Sequence, residues 1–348
     1  MTIINRSGGF YAMPQAAFGT HVPPVQNTNK ALPILSDTAP IKLATAGSGV
    51  VPNQFSARGG QLVGHRQGQR MDWSAMFKLP VYDDATVSKA DLPEFSTLFA
   101  MTPCTFTDAG SNTLTLTPAA VCTPGYSASN TASPVVASLT FFQSGGDVKY
   151  AVDCVGIIAK IAAKADEPVL VEMTGHGQCL STAADSIVDL STTFTADAVE
   201  TSDADFFMFR NATVTIAGPS GLGELATTGF EFTPGQTINP QMRAESAEGY
   251  GIATVFHGDG TQMKISVKGV AESERAFYAA LFAETATTVT LVFKNVANTF
   301  KFTITLAAGR ITAIEEPTDN DQVNYDLTID AGSVDDTPAY TLAWGKVS

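Results

Sequence analysis

Basic residues are scarce: Lys and Arg total 20 against 34 Asp and Glu, for a formal net charge of −14. A general nucleic-acid binder needs a basic face, so this balance excludes one. Charge of either sign is thin, at 16% where a quarter is usual. Much of the surface must therefore be Ser, Thr, Asn, Gln and Gly, or be buried against other chains. Four His and four Cys leave little material for metal or nucleophile chemistry. No run approaches the roughly 20 apolar residues of a membrane span. Residues 1–9 lack an apolar leader core, so neither membrane nor export signal is expected. Cys104, Cys122, Cys154 and Cys179 form no CxxC pair and leave the second half unstapled. A disulfide framework would span the chain, so reduced and mostly buried thiols fit better. A Cys104–Cys122 hairpin disulfide is the lesser alternative.

What is present is enough for a packed core. The chain is 44% hydrophobic, and 348 residues exceed the usual single domain. Charge is unevenly spread. Residues 1–80 hold seven basic and two acidic residues, a net +5, and the remainder is −19. Opposite charge at the two ends either draws copies together or dresses an acidic body with a polar tail.

Residues 1–30 are rich in Gly, Pro, Asn, Gln and Ala without a period, and read as an extended N-terminal arm. Strand patterns follow. Val323, Tyr325, Leu327 and Ile329 alternate with polar residues, as do Phe300–Leu306, Val148–Cys154 and Met263–Val267. Two segments read as helices. One is Ser88–Met101, with Ser88 and Asp91 as a capping box and Leu92, Phe95 and Phe99 on one face. The other is Ser273–Glu284, with Phe277, Ala280, Leu281 and Ala283 available to pack.

The helices expose a repeat: Phe95-Ser96-Thr97-Leu98-Phe99-Ala100 aligns with Tyr278-Ala279-Ala280-Leu281-Phe282-Ala283. Each follows a strand, Trp73–Leu79 or Met263–Val267, and precedes four strand-like runs. In the first half these are Ser138–Gln143, Val148–Cys154, Ile157–Ala162 and Val169–Thr174. In the second they are Thr287–Phe293, Phe300–Leu306, Arg310–Ile314 and Val323–Ile329. Val155-Gly156 and Ala308-Gly309 read as matching turns. The boundary falls at Ser191–Asp205, giving an arm over 1–30, a first β domain over 31–195 and a second over 196–348. Residues 102–134 are an insertion in the first copy, read as a surface excursion or small hairpin. Two long polar loops, Ala46–Arg70 and Phe232–Gly251, carry Arg58, Arg66, Arg70 and Arg243.

Catalytic signatures are absent from this pattern. His176 and Cys179 lack further zinc ligands at sensible spacing. His21, His65 and His257 lie in predicted loops without a neighbouring acid. Gly218-Pro219-Ser220-Gly221-Leu222-Gly223 lacks the Lys-Ser/Thr of a P-loop and reads as a wide turn. Asp83-Asp84, Glu315-Glu316 and Asp335-Asp336 read as solvated bends. No enzyme, cofactor or metal is expected.

Three stretches carry a family likeness: Met71-Asp72-Trp73-Ser74-Ala75-Met76-Phe77-Lys78-Leu79 behind the Gly- and Gln-rich basic loop; Phe209–Ile216 followed by Thr228–Gly235; and Asp319–Leu327. In style and order, over most of residues 30–345, the chain resembles a major tail tube protein of long-tailed, siphovirus-type bacteriophages, of the type with two tube domains. The resemblance implies a mainly β fold of two tandem tail-tube-type β-sandwich domains, each with one flanking α-helix. It implies self-assembly into stacked rings, with three chains in pseudo-six-fold symmetry, or six chains as the runner-up. Other implied partners are the tape-measure, tail-tip and tail-terminator proteins. Genomic DNA would pass through the lumen without sequence-specific binding. Such a protein resides in the virion tail and is assembled in the host cytoplasm. Arg58, Arg66, Arg70 and Arg243 are then candidates for inter-ring or inter-subunit contacts. Glu224, Glu231, Asp326 and Asp330 are candidates for lining a predominantly acidic lumen. The alternatives are a capsid decoration protein, a surface-layer subunit, or, less favoured, a β-rich hydrolase.

Overall fold

The computed structural model describes residues 9–24, 32–35, 41–44, 70–81, 95–109, 112–120, 122–127, 134–142, 148–178, 206–217, 224–225, 227–240, 252–258, 260–268, 271–284, 286–319, 322–332 and 337–347. The first half contributes β1 (Gly9–Pro14), β2 (Leu32–Pro33), β3 (Ile41–Ala44), β4 (Arg70–Lys78), α1 (Ser96–Ala100), β5 (Cys104–Asp108), β6 (Thr113–Pro118), β7 (Ala137–Phe142), β8 (Val148–Lys164) and β9 (Leu170–Gln178). The second contributes β10 (Met208–Ala217), β11 (Glu224–Leu225), β12 (Thr227–Thr233), β13 (Gln236–Asn239), β14 (Thr254–His257), β15 (Thr261–Lys268), α2 (Ala271–Ala283), β16 (Thr287–Lys294), β17 (Phe300–Glu315), β18 (Thr318–Asp319), β19 (Gln322–Ala331) and β20 (Tyr340–Lys346). The fold is mainly β, and every strand pairing between these elements is antiparallel.

The same ladder occurs twice. In the first half the strands pair in the order β1-β7-β8-β9-β4-β3. In the second the order is β10-β16-β17-β19-β15-β12. The helices occupy the same place in both, between β4 and β7 and between β15 and β16. The irregularities match as well. β8 shifts register against β9 between Ile158 and Lys160, and β17 shifts against β19 between Ile311 and Ala313. Such bulges bend a strand without ending its ladder.

Each helix is followed by three ladder strands where the sequence suggests four runs. Val148–Cys154 and Ile157–Ala162 are one strand, as are Phe300–Leu306 and Arg310–Ile314. The glycines read as turns make room instead. A Cβ on Gly156 would stand 2.3 Å from the Trp73 ring, and one on Gly309 would stand 2.8 Å from an Ile329 methyl. Trp73 lies over this gap and donates its indole N–H to the Val155 carbonyl at 3.2 Å.

Further elements tie the halves together. β12 pairs with β8 as well as with β15, so the two ladders share one sheet. The stretch read as a surface excursion or small hairpin contains the β5–β6 hairpin, and β6 pairs with β20. Phe106, Leu114 and Leu116 of the hairpin are buried, which an excursion in solvent would not allow. Trp344 of β20 packs on Phe99 of α1 at 5.2 Å between ring centroids and on Phe302 of β17 at 5.0 Å. Apolar residues of both halves form one contiguous core. The loop expected over Phe232–Gly251 contains β13, which pairs with β14 beyond the loop. Gly235, with φ of 69°, turns the chain from β12 into β13.

The helices differ from expectation at their starts. α1 is described from Ser96, and Ser88, Asp91 and Leu92 lie outside the described residues. Phe95 and Phe99 are both buried, as their shared face requires. On α2, Phe277 and Ala280 are buried, Leu281 is half-buried and Ala283 is exposed. The proposed boundary Ser191–Asp205 also lies outside the described residues.

Part of the expected arm belongs to the first ladder. β1 pairs with β7 along its whole length, with Phe10, Tyr11 and Ala12 buried. Burial on both faces explains why no period shows there. Residues 15–24 continue as a strap held by Asp153, a buried carboxylate at the bend of β8 with φ of 53°. Gln15 Nε2 donates to Asp153 Oδ1 at 2.9 Å, Tyr126 O–H at 2.8 Å and the Gly19 N–H at 3.1 Å. The Asp153 N–H returns a bond to Gln15 Oε1 at 2.9 Å. Asp153→Ala removes the acceptor from several donors and leaves Ala at positive φ. It is expected to lower unfolding stability by about 2–3 kcal/mol in urea titrations. A loss under about 0.5 kcal/mol would show that the strap is not held this way.

Candidate functional site

A chemically distinctive surface among the described residues is the polar face of the joined sheet. Its strands run β3-β4-β9-β8-β12-β15-β19-β17. Strict alternation, as in β15, sends Met263, Ile265 and Val267 into the core and Gln262, Lys264 and Ser266 outward. Register then decides which outward residues meet. Glu231 stands opposite Lys264, Ser266 opposite Asp326, Gln262 opposite Asp330 and Arg310 opposite Asp330.

Glu231, Asp326 and Asp330 therefore share this face. Glu224 stands apart from them in the sheet: it lies opposite Thr215 of β10, and β10 reaches β17 only through β16. The face is also less acidic than composition suggests. Asp72, Glu172, Glu231, Asp326, Asp330 and Glu315 are interleaved with Lys78, Lys160, Lys164, Lys264, Lys268 and Arg310. Lys160 sits across the seam between the halves, 3.7 Å from Glu231 and 4.0 Å from Glu172. These half-exposed pairs are worth little stability, and their effect is to neutralise the face locally.

Arg70 opens β4 opposite Ala44 and Gln178. Arg58, Arg66 and Arg243 lie outside the described residues, as do His65, Cys179, Asp83-Asp84, Asp335-Asp336 and the Gly218–Gly223 turn. Glu315 closes β17 on the polar face, and Glu316 accepts a hydrogen bond from the Tyr278 hydroxyl.

The sequence reading weighed His176 only beside Cys179 and missed its partner, Asp72. His176 Nδ1 lies 2.7 Å from Asp72 Oδ1, across the β4–β9 register. The partners are far apart in sequence, and only strand pairing brings them together. They line a shallow cleft of about 310 Å³ with Trp73, Ser74, Thr174 and Ile238. A larger cleft, about 630 Å³, lies beside His257, Thr117, Gly260, Pro338 and Tyr340.

Cys104, Cys122 and Cys154 are in no disulfide. Burial pushes Cys104 up to about 11, beside the Tyr340 hydroxyl at 3.3 Å, so it stays a protonated packing group at neutral pH. Gln236 caps the same cluster, donating to the Tyr340 oxygen at 2.7 Å while its carbonyl accepts the Ile158 N–H at 2.7 Å. Among the described residues, no group of three or more His, Cys, Asp or Glu is placed to hold a metal ion. No helix among them is long and apolar enough to cross a membrane. No protein-family model matches the sequence, and no curated protein matches it.

His21 belongs to the strap. Its Nε2 lies 2.9 Å from Thr140 Oγ1 and its ring 4.2 Å from that of Tyr150. Burial pushes its pKa down from 6.5 to about 4. The unfolded chain therefore takes the proton first as pH falls. Stability from the neutral buried ring is complete above about 6.5 and is lost progressively toward 4. The thermal midpoint should fall across that window, and His21→Gln should reduce the fall. An unchanged slope in the variant would place the acid sensitivity elsewhere.

Proposed function

We propose that this chain is a structural virion protein that polymerises as stacked rings into the tail tube of a long-tailed phage. The repeated ladder, already joined edge to edge through β8 and β12, carries the reading. In it, the chain supplies two tandem tube-type β-sandwich domains, each with one flanking helix. A unit that appends a copy of itself along a sheet edge is built for continued lateral addition. Three chains then supply six ladders per ring.

The joined sheet's polar face is the proposed lumen lining, with Glu231, Asp326 and Asp330 among its carboxylates. Lysines interleaved with acids leave no uninterrupted cationic stripe for a phosphate backbone to follow. DNA passes such a wall without being held. Tape-measure, tail-tip and terminator proteins are the expected partners, and Arg58, Arg66, Arg70 and Arg243 the proposed contacts between rings or subunits.

Negative-stain microscopy and mass photometry of purified protein test this reading together. Rings or hollow tubes built from three chains are the expected result. Six-chain rings would keep the polymer and remove the pseudo-six-fold arrangement. Monomers that fail to elongate on tail-tip complexes would overturn the proposal.

A further inference from the structure

The joint inside the chain leaves a matching pair of edges at its two ends. β8 is bonded on both sides beyond its bulge, to β9 and to β12. The corresponding part of β17 pairs with β19 only, among the described residues. β12 is likewise bonded on both sides, to β15 and β8. Its counterpart is the edge formed by Ile34, Leu35 and β3. That edge meets β4 on one side, through Ile34 opposite Phe77, the Leu35 N–H on the Met76 carbonyl at 2.8 Å, and the β3 register. β1 pairs with Leu32 and Pro33 just before it, and no described strand pairs with Ile34, Leu35 or β3 on the side away from β4.

The matching bulges set an equivalence. Lys160 corresponds to Ala313, Ala162 to Glu315 and Ala163 to Glu316. Across β9 and β19 the same equivalence places Met76 with Lys264. Leu35 therefore stands where Glu231 stands, and Ile34 where Phe230 stands. Inside the chain, Glu231 faces Ala162 and Phe230 faces Ala163.

Burial points the same way. Ile161 and Phe230 are buried at the internal joint, whereas their counterparts Ile314 and Ile34 are only half-buried. Leu35 is 46% exposed. Phe99 of α1 is fully buried beneath Trp344, whereas Phe282, aligned with it on α2, is 82% exposed. Phe282 stacks on Tyr278, whose hydroxyl holds Glu316 beside the open β17 edge. The occupant's charge agrees: the β3 edge lies in the net-basic first 80 residues, and the β17 edge in the acidic remainder.

We propose that the internal joint is copied between chains. The β17 edge of one copy pairs with the Ile34–Leu35–β3 edge of a second copy, with Leu35 opposite Glu315, Ile34 opposite Glu316, and Phe282 covered. This rests on the ring reading above and names the surfaces that close the ring. Each chain carries one edge of each kind, so the contact is head-to-tail and closes by rotation.

The test is a Leu35→Cys/Glu315→Cys double variant of the full chain, oxidised and run on non-reducing gels, beside mass photometry of the wild type. Directly opposed strand residues are close enough for a disulfide. Covalent dimers and trimers are expected from the double variant and not from either single variant. Phe282→Ser should raise the concentration for half-assembly by about tenfold or more, because a buried Phe side chain is lost from the joint. Its circular dichroism and thermal midpoint as a monomer should stay unchanged, since the side chain is exposed there. Wild-type rings without interchain disulfides in the double variant would overturn the joint and leave the ring reading standing. Unaltered assembly of Phe282→Ser would remove the helix from the joint. A wild type that never oligomerises would overturn both.

Discussion

Backbone N–H and C=O groups at a sheet edge need partners, and each open edge invites another strand. That requirement organises this molecule. The two ladders satisfy one pair of edges internally, where β12 lies against β8. The long strands β8 and β17 bend at bulges and take different partners along their length, so each ladder curls while its pairing continues on both sides of the bulge. Packing follows from the curl: Trp73 fills the space above Gly156 and Gly175, and the aromatic cluster around Trp344 fills the space between the halves.

Local pattern was legible where one face meets the core and the other meets water. Met263–Val267 and the run from Tyr325 to Ile329 show period 2 in sequence and alternate in burial as strands. Pattern failed where both faces are buried, as at Phe10–Ala12, and where glycine serves packing instead of turning, as at Gly156 and Gly309. The repeated order of elements was visible through the two helices. Its full extent was not, because β1 and β10 share pairing positions without a shared residue pattern.

The polar face shows a second limit of sequence reading. Period 2 places Asp326 and Asp330 on one side of β19, but only cross-strand register puts Glu231 beside them. Register also brings Lys160 between Glu172 and Glu231, and His176 against Asp72. Net charge had suggested a more acidic surface than the strands display. Charge summed along a chain says little about one face of a sheet, because half of each strand's residues point elsewhere.

The β6–β20 pairing has a consequence for synthesis. Phe95, Phe99 of α1 and Phe106 of the hairpin pack against Trp344 of β20, the last of the described strands and far from them in sequence. During translation the first half emerges before β20, so the aromatic surface that Trp344 covers stays open until that strand has been made. Contacts this distant in sequence form late and slowly. β20 thus works as a late seal: a chain lacking it retains an uncovered aromatic surface, a ready target for chaperones and proteases.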